Sequence, residues 1–176
     1  VYVYGGCLIT NDAAPVKIVK SCYQFDLKRK EWKKFCCSMY ARSGHSAIVN
    51  HGKMIVFGGY DHLLCDQNNV LELDFKCGRW REVECIGDKI PERRYHSAVV
   101  YKESMIVFGG AGKNGIYSDA YSLDLKKFEW RKIEFHVSPP HLLTHSAFIH
   151  EDIMFVFGGI CNGFYKNELY GLDMNT

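Results

Sequence analysis

The chain has 176 residues, 47% hydrophobic and 14% aromatic, enough to bury a sizeable core and too apolar for a disordered segment. A net charge of +2 gives no general reason to expect nucleic acid, and no apolar run approaches a membrane span. Eight cysteines at 7, 22, 36, 37, 65, 77, 85 and 161, without Cys-x-x-Cys, regular spacing or any Asn-x-Ser/Thr acceptor, exclude a recurrent disulfide or zinc framework and suit core-filling thiols in the cytoplasm or nucleus.

Residues 1 to 6 alternate Val-Tyr-Val-Tyr and stop at Gly5-Gly6, a strand closed where side chains would not fit. The chain opens inside this strand, so no signal or transit peptide is visible and the start looks truncated. Cys7 to Lys20, with Asn11-Asp12 and Pro15, is expected to be the longest inter-strand loop. A strand around Cys22 to Leu27, the basic turn Lys28-Arg29-Lys30 and a strand from Trp32 follow. Next come Arg42, His45-Ser46-Ala47, Met54-Ile55-Val56-Phe57, Gly58-Gly59, Leu71-Glu72-Leu73-Asp74 and Trp80. The same signals recur as Arg93, His96-Ser97-Ala98, Met105-Ile106-Val107-Phe108, Gly109-Gly110, Tyr121-Ser122-Leu123-Asp124 and Trp130. They return as His145-Ser146-Ala147, Met154-Phe155-Val156-Phe157, Gly158-Gly159 and Tyr170-Gly171-Leu172-Asp173. Glycine doublets ending at 6, 59, 110 and 159 and aspartates at 26, 74, 124 and 173 keep one period of about 50 residues. Polar turns and the Pro-bearing linkers Gly87-Asp88-Lys89-Ile90-Pro91 and Val137-Ser138-Pro139-Pro140 separate short β-rich runs, and no helical periodicity competes.

This joint pattern of His-Ser, apolar strand with Gly-Gly, Tyr-rich strand with Asp, and Trp resembles the kelch repeat family across the chain. The resemblance implies an all-β fold: an incomplete kelch β-propeller arc, with two complete four-stranded antiparallel blades (43–84 and 94–134) flanked by partial blades at 1–35 and 143–173. The first copy lacks a His-Ser strand and the last lacks a Trp strand, so the chain reads as part of a longer kelch protein.

Periodic residues are expected to serve the scaffold, because a catalytic group is needed once and a packing group in every blade. His45, His96 and His145 should satisfy backbone groups at blade junctions, and the tryptophans should pack between sheets with bonded indole N–H groups. Leu142 replaces the arginine seen at Arg42 and Arg93, predicting a less regular junction there. The Gly-Gly doublets are not phosphate loops, since no helix or Lys-Ser/Thr follows. The basic turns beside the Trp strand suit a solvated outer edge. Galactose oxidase-like copper enzymes and glucosinolate specifier proteins share this type of propeller. The nearest approach to the specifiers' iron pattern is Glu84, Asp88 and Glu92, with glutamate in the histidine position, so no metal or cofactor is expected.

The resemblance also implies that loops after Gly-Gly and residues before His-Ser form one partner-binding face. That face would show Tyr60, Asp61 and His62, then Lys113, Asn114 and Tyr117, then Asn162, Phe164 and Tyr165, with Ser43, Arg94, Tyr95 and Thr144 nearer the axis. The expected function is a non-enzymatic protein-interaction scaffold, as the substrate-recognition part of a BTB-containing ubiquitin-ligase adaptor or as a trafficking or cytoskeletal regulator. The alternative is a metal-dependent enzyme or specifier protein. The expected partner is a protein, with no nucleic acid and no membrane span, and with the remaining blades and a BTB or other domain elsewhere in the full-length chain.

Overall fold

In the computed structural model, residues 1–8 and 16–175 are described, and they form β-strands and turns only. The Ile9 to Pro15 part of the anticipated long loop lies outside the described residues. The opening sheet runs in the order β1 (Tyr2–Tyr4), β4 (Ser21–Asp26), β5 (Glu31–Cys37), and a small hairpin of β2 (Cys7–Leu8) and β3 (Lys17–Ile18) rises from its Gly5-Gly6 end. The second sheet is a four-stranded antiparallel meander of β6 (Ser46–Asn50), β7 (Lys53–Phe57), β8 (Val70–Asp74) and β9 (Arg79–Val83).

The third sheet has one strand more than the repeat predicts. β10 (Ile86–Gly87) leaves the second blade and pairs in parallel with β16 (Glu129–Ile133), outside the meander β11 (Ser97–Tyr101), β12 (Ser104–Phe108), β15 (Ala120–Asp124). The Trp strand of this blade is therefore not its outer edge, and the Gly87 linker is part of a sheet. Ile86 N donates to Phe128 O at 3.0 Å, Asp88 N to Trp130 O at 2.9 Å, and Lys132 N to the Asp88 carboxylate at 2.8 Å. From the Gly109-Gly110 end of this blade projects the hairpin β13 (Ala111–Gly112) and β14 (Gly115–Ile116). The last sheet is β17 (Ser146–His150), β18 (Ile153–Phe157) and β21 (Leu169–Asp173), with the hairpin β19 (Ile160–Cys161) and β20 (Phe164–Tyr165) at the matching place.

The chain is thus an arc of a β-propeller, with the core lying between blades. Strand alternation sends Ile48, Ile55, Phe57 and Val70 forward onto Met105, Val107, Tyr121, Leu123 and Trp130 of the following blade. Val99, Ile106, Phe108 and Ala120 meet Met154 and Val156 in the same way, and Tyr4 meets Met54, Val56, Leu71 and Leu73. The recurring aspartates close the outer hairpins: Asp26, Asp74 and Asp124 each accept two backbone N–H groups of the turn that follows.

Two of the three histidines also reach a hydroxyl of the neighbouring blade. His96 Nε2 lies 2.7 Å from Ser46 Oγ, and His145 Nε2 lies 2.9 Å from Ser97 Oγ. Burial pushes His45 and His145 down to about 4 and His96 well below its ordinary value, so all three rings are neutral. Arg42 and Arg93 are buried, reaching Asn69 Oδ1 at 2.7 Å and Asp119 Oδ1 at 2.8 Å respectively. Leu142 does not loosen the next junction: it is fully buried and its carbonyl accepts from Gly110 N at 2.7 Å, as Arg93 O accepts from Gly59 N at 2.8 Å. The tryptophans are not equivalent. Trp130 is buried against Phe57 with Cys85 packed beside it, Trp80 donates to Cys36 Sγ at 3.3 Å, and Trp32 is exposed.

Candidate functional site

The rim at the Gly-Gly ends is built by one backbone device repeated three times. The residue before each histidine, Gly44, Tyr95 and Thr144, takes a positive φ of 66°, 59° and 56°. Tyr95 N donates to Gly44 O at 2.7 Å and Thr144 N to Tyr95 O at 2.8 Å, so these residues are linked blade to blade along the inner mouth. Just before them, Ser43, Arg94 and Leu143 form antiparallel bridges to Tyr60, Ala111 and Ile160, the first residues after each Gly-Gly. The two segments assigned to one face from the sequence therefore lie side by side.

Both glycines are required by this junction. A Cβ on Gly58 would sit 2.6 Å from Arg93 O of the next blade, and one on Gly59 would sit 2.8 Å from His45 Cβ of its own blade. Left-handed backbone at a tyrosine is less common and places its side chain deliberately. The Tyr95 ring lies over Gly44, where any Cβ would come within 3.0 Å of it.

Tyr60, Arg94 and Tyr95 converge. The two tyrosine rings meet edge to face at 6.1 Å, and the Arg94 guanidinium stands 5.8 Å from the Tyr95 ring centre. Arg94 Nη1 donates to both carboxylate oxygens of Asp66 at 2.5 and 2.6 Å, a pair the sequence reading missed because Asp66 has no periodic counterpart. The Tyr60 phenol beside it, then burial, push Tyr95 up to about 12, so it stays a neutral phenol. With Val16 and Leu64 these three side chains line an open depression of about 280 Å³.

The other rim residues are placed differently. Asp61 is occupied by its own loop, accepting from Leu63 N at 2.9 Å, Cys65 N at 3.1 Å and Gln67 Nε2 at 3.2 Å, while His62 is exposed. Lys113 and Asn114 form the exposed β13–β14 turn, and Tyr117 stacks under Arg93 at 4.5 Å. Asn162 turns the β19–β20 hairpin, leaving Phe164 and Tyr165 exposed at 74% and 88%. Among the described residues no three His, Cys, Asp or Glu side chains are grouped to hold a metal, and Asp88 of the carboxylate triplet is engaged by the Lys132 backbone.

A profile of the KLHDC2/KLHL20/DRC7 Kelch-repeats domain matches residues 1–176, the whole chain. The chain belongs to the kelch-repeat family. Among curated kelch relatives and similar proteins, Kelch domain-containing protein 3 of Bos taurus is 31% identical over 148 residues, 80% of this chain and 37% of that protein. Beta-scruin of Limulus polyphemus is 31% identical over 125 residues, covering 65% of this chain and 13% of its own length. A tRNA wybutosine-synthesizing protein 2/3/4 of Arabidopsis thaliana is 34% identical over 94 residues, 53% of this chain and 9% of that protein. The chain thus spans well under half the length of these relatives. Kelch propellers generally serve protein interaction, and among the described residues no helix is long and apolar enough to cross a membrane.

Proposed function

We propose that the chain captures a protein partner on the loop rim, without covalent chemistry, with Tyr60, Arg94 and Tyr95 at the centre of contact. The observation that carries this is their convergence on one depression, held by a left-handed backbone position on a rigid β-scaffold. Tyrosine and arginine are the residue types that dominate interface energetics, because a large rigid surface and a multidentate donor lose little entropy on binding. In this reading the chain is the recognition part of a longer assembly, either a ubiquitin-ligase adaptor with a BTB-type module or a trafficking or cytoskeletal regulator in the cytoplasm or nucleus.

The test is cross-linked capture from cell extract followed by mass spectrometry, comparing the native chain with the triple variant Tyr60→Ala, Arg94→Ala, Tyr95→Ala. A second variant, Lys126→Ala with Lys127→Ala, alters the turn at the opposite end of the third blade. Specific partners should fall at least about tenfold with the triple variant and persist with the turn variant. Equal retention by both would refute the rim as the binding face.

A further inference from the structure

The strap on the third blade has no counterpart on the second. The linker of residues 84–92, between β9 and Arg93, is long enough to lay β10 along β16 before it reaches the mouth. The corresponding linker before the second blade is residues 38–41, between β5 and Arg42, and it is too short for such a detour. It reaches β9 with a side chain, the Tyr40 phenol at the Glu82 carboxylate. Among the described residues no strand pairs with the outer side of β9, which ends its sheet.

The two outer strands are otherwise the same acceptor. Leu73 faces Trp80 as Leu123 faces Trp130, so the register of the third blade transfers to the second residue by residue. The strap bonds Phe128 O through Ile86 N at 3.0 Å, Trp130 O through Asp88 N at 2.9 Å, and Lys132 N through the Asp88 carboxylate at 2.8 Å. The equivalent groups Gly78 O, Trp80 O and Glu82 N therefore point to the open side of β9. Exposure follows the same division: Trp130 is buried with Cys85 of its linker beside it, whereas Trp80 is half-buried.

The strap also specifies what can dock. Bonds this close leave no room for a side chain opposite the tryptophan, since a Cβ on Gly87 would lie 2.3 Å from Trp130 O. One residue on, a carboxylate rather than a carbonyl takes the Lys132 N–H. Ile86, 61% exposed, points to solvent, so the position before the glycine makes no demand.

We infer that the outer edge of β9 is a strand-addition site for an extended segment of a partner protein, docked parallel to β9, with glycine opposite Trp80 and aspartate next to it capping the Glu82 N–H. Main-chain bonds supply the affinity and the Gly-Asp pair the selectivity. This edge lies on the outer strand, apart from the loop rim, and its occupancy is independent of the rim reading.

The experiment titrates the full chain, labelled for amide NMR, with a peptide copying Glu84 to Lys89 in which Cys85→Ser removes the thiol. Saturable shifts should appear at the Trp80 and Glu82 amides and not at Trp130 and Lys132, whose edge the chain's own strap holds. In the peptide, Gly87→Val should abolish binding and Asp88→Ala should weaken it about fivefold. In the chain, Glu82→Pro removes the outward N–H while sparing the ladder to β8, and it should abolish binding with unchanged circular dichroism; Glu82→Ala, which keeps the N–H, should bind as the native chain does. The rim variant Tyr60→Ala, Arg94→Ala, Tyr95→Ala should also bind normally. Absence of saturable shifts at millimolar peptide, equal binding of the Gly87→Val peptide, or retained binding by Glu82→Pro would overturn the proposal. Self-association of the native chain that Glu82→Pro removes would overturn it in favour of a second copy as the occupant.

Discussion

At the scale of single residues, the first glycine of each doublet separates two effects that sequence reading merges. Gly109 and Gly158 have nearly the same backbone, φ 63° and 69°, so adding a methyl group strains both alike, by about 1–2 kcal/mol. Their surroundings differ: a Cβ on Gly109 would lie 2.7 Å from Leu142 O and 3.0 Å from His145 Cε1, whereas on Gly158 it meets only Lys166 O at 3.3 Å. Gly158→Ala should therefore cost only the backbone term and Gly109→Ala at least about twice as much, read as the shift in urea midpoint at constant m. Equal costs would show that the inter-blade contact is not what requires glycine. The doublets were legible in the sequence because four copies keep one spacing. Their two distinct jobs were not, because one faces the neighbouring blade and that neighbour is brought there only by folding. The same holds for Asp66: the arginine it satisfies is 28 residues away, beyond any local pattern.

At the scale of elements, the meander strands were readable from alternation and turn residues, and β10 was not. Two residues with a glycine carry no strand signal, and their pairing is with a blade whose outer strand comes more than forty residues later. The strap they form occupies the free side of β16 and covers an edge that would otherwise present unpaired N–H and C=O groups. Gly87 is the residue that permits it: a Cβ there would fall 2.3 Å from Trp130 O. Gly87→Val should detach the strap. Hydrogen exchange should then accelerate at Lys132 N–H, which the Asp88 carboxylate protects, and the variant should aggregate faster than the native chain with little change in circular dichroism. Unchanged exchange at Lys132 would mean that the strap is held by something other than this close approach. The rim hairpins were anticipated only as loops, since β13–β14 and β19–β20 hold two residues per strand, too few to show alternation.

For the whole molecule, the architecture was the most legible level, because a repeat announces its fold through its period rather than through any one segment. What the period could not convey is how the blades communicate. Two of the buried imidazoles, His96 and His145, bond serines of the preceding blade, so acid strikes the junctions before it strikes the blades. The folded values of about 4 for His45 and His145 lie below the unfolded value of 6.5, so the unfolded chain binds more protons between these limits. Stability is therefore fully present above pH 6.5 and falls as pH drops from 6.5 to about 4, by up to about 3 kcal/mol per histidine. The turn aspartates, held below 3.8 first of all by backbone N–H groups, add their own loss only at lower pH. Urea midpoints measured from pH 7.5 to 4 should show this slope, and His145→Gln should flatten it while lowering stability at neutral pH. A flat profile in the native chain would contradict neutral buried rings.

The mouth of the arc has one more implication. Gly44, Tyr95 and Thr144 are joined to one another by main-chain bonds, while the side chains of the last two differ, a phenol in one and in the other a hydroxyl that donates to Leu143 O at 2.7 Å. Each blade thus has one position beside the axis where the main chain holds the frame and the side chain sets what is displayed, except at Gly44, where a Cβ would meet the Tyr95 ring at 3.0 Å. A lineage could change its correspondents at Tyr95 and Thr144 one position at a time, among residues that tolerate the left-handed backbone.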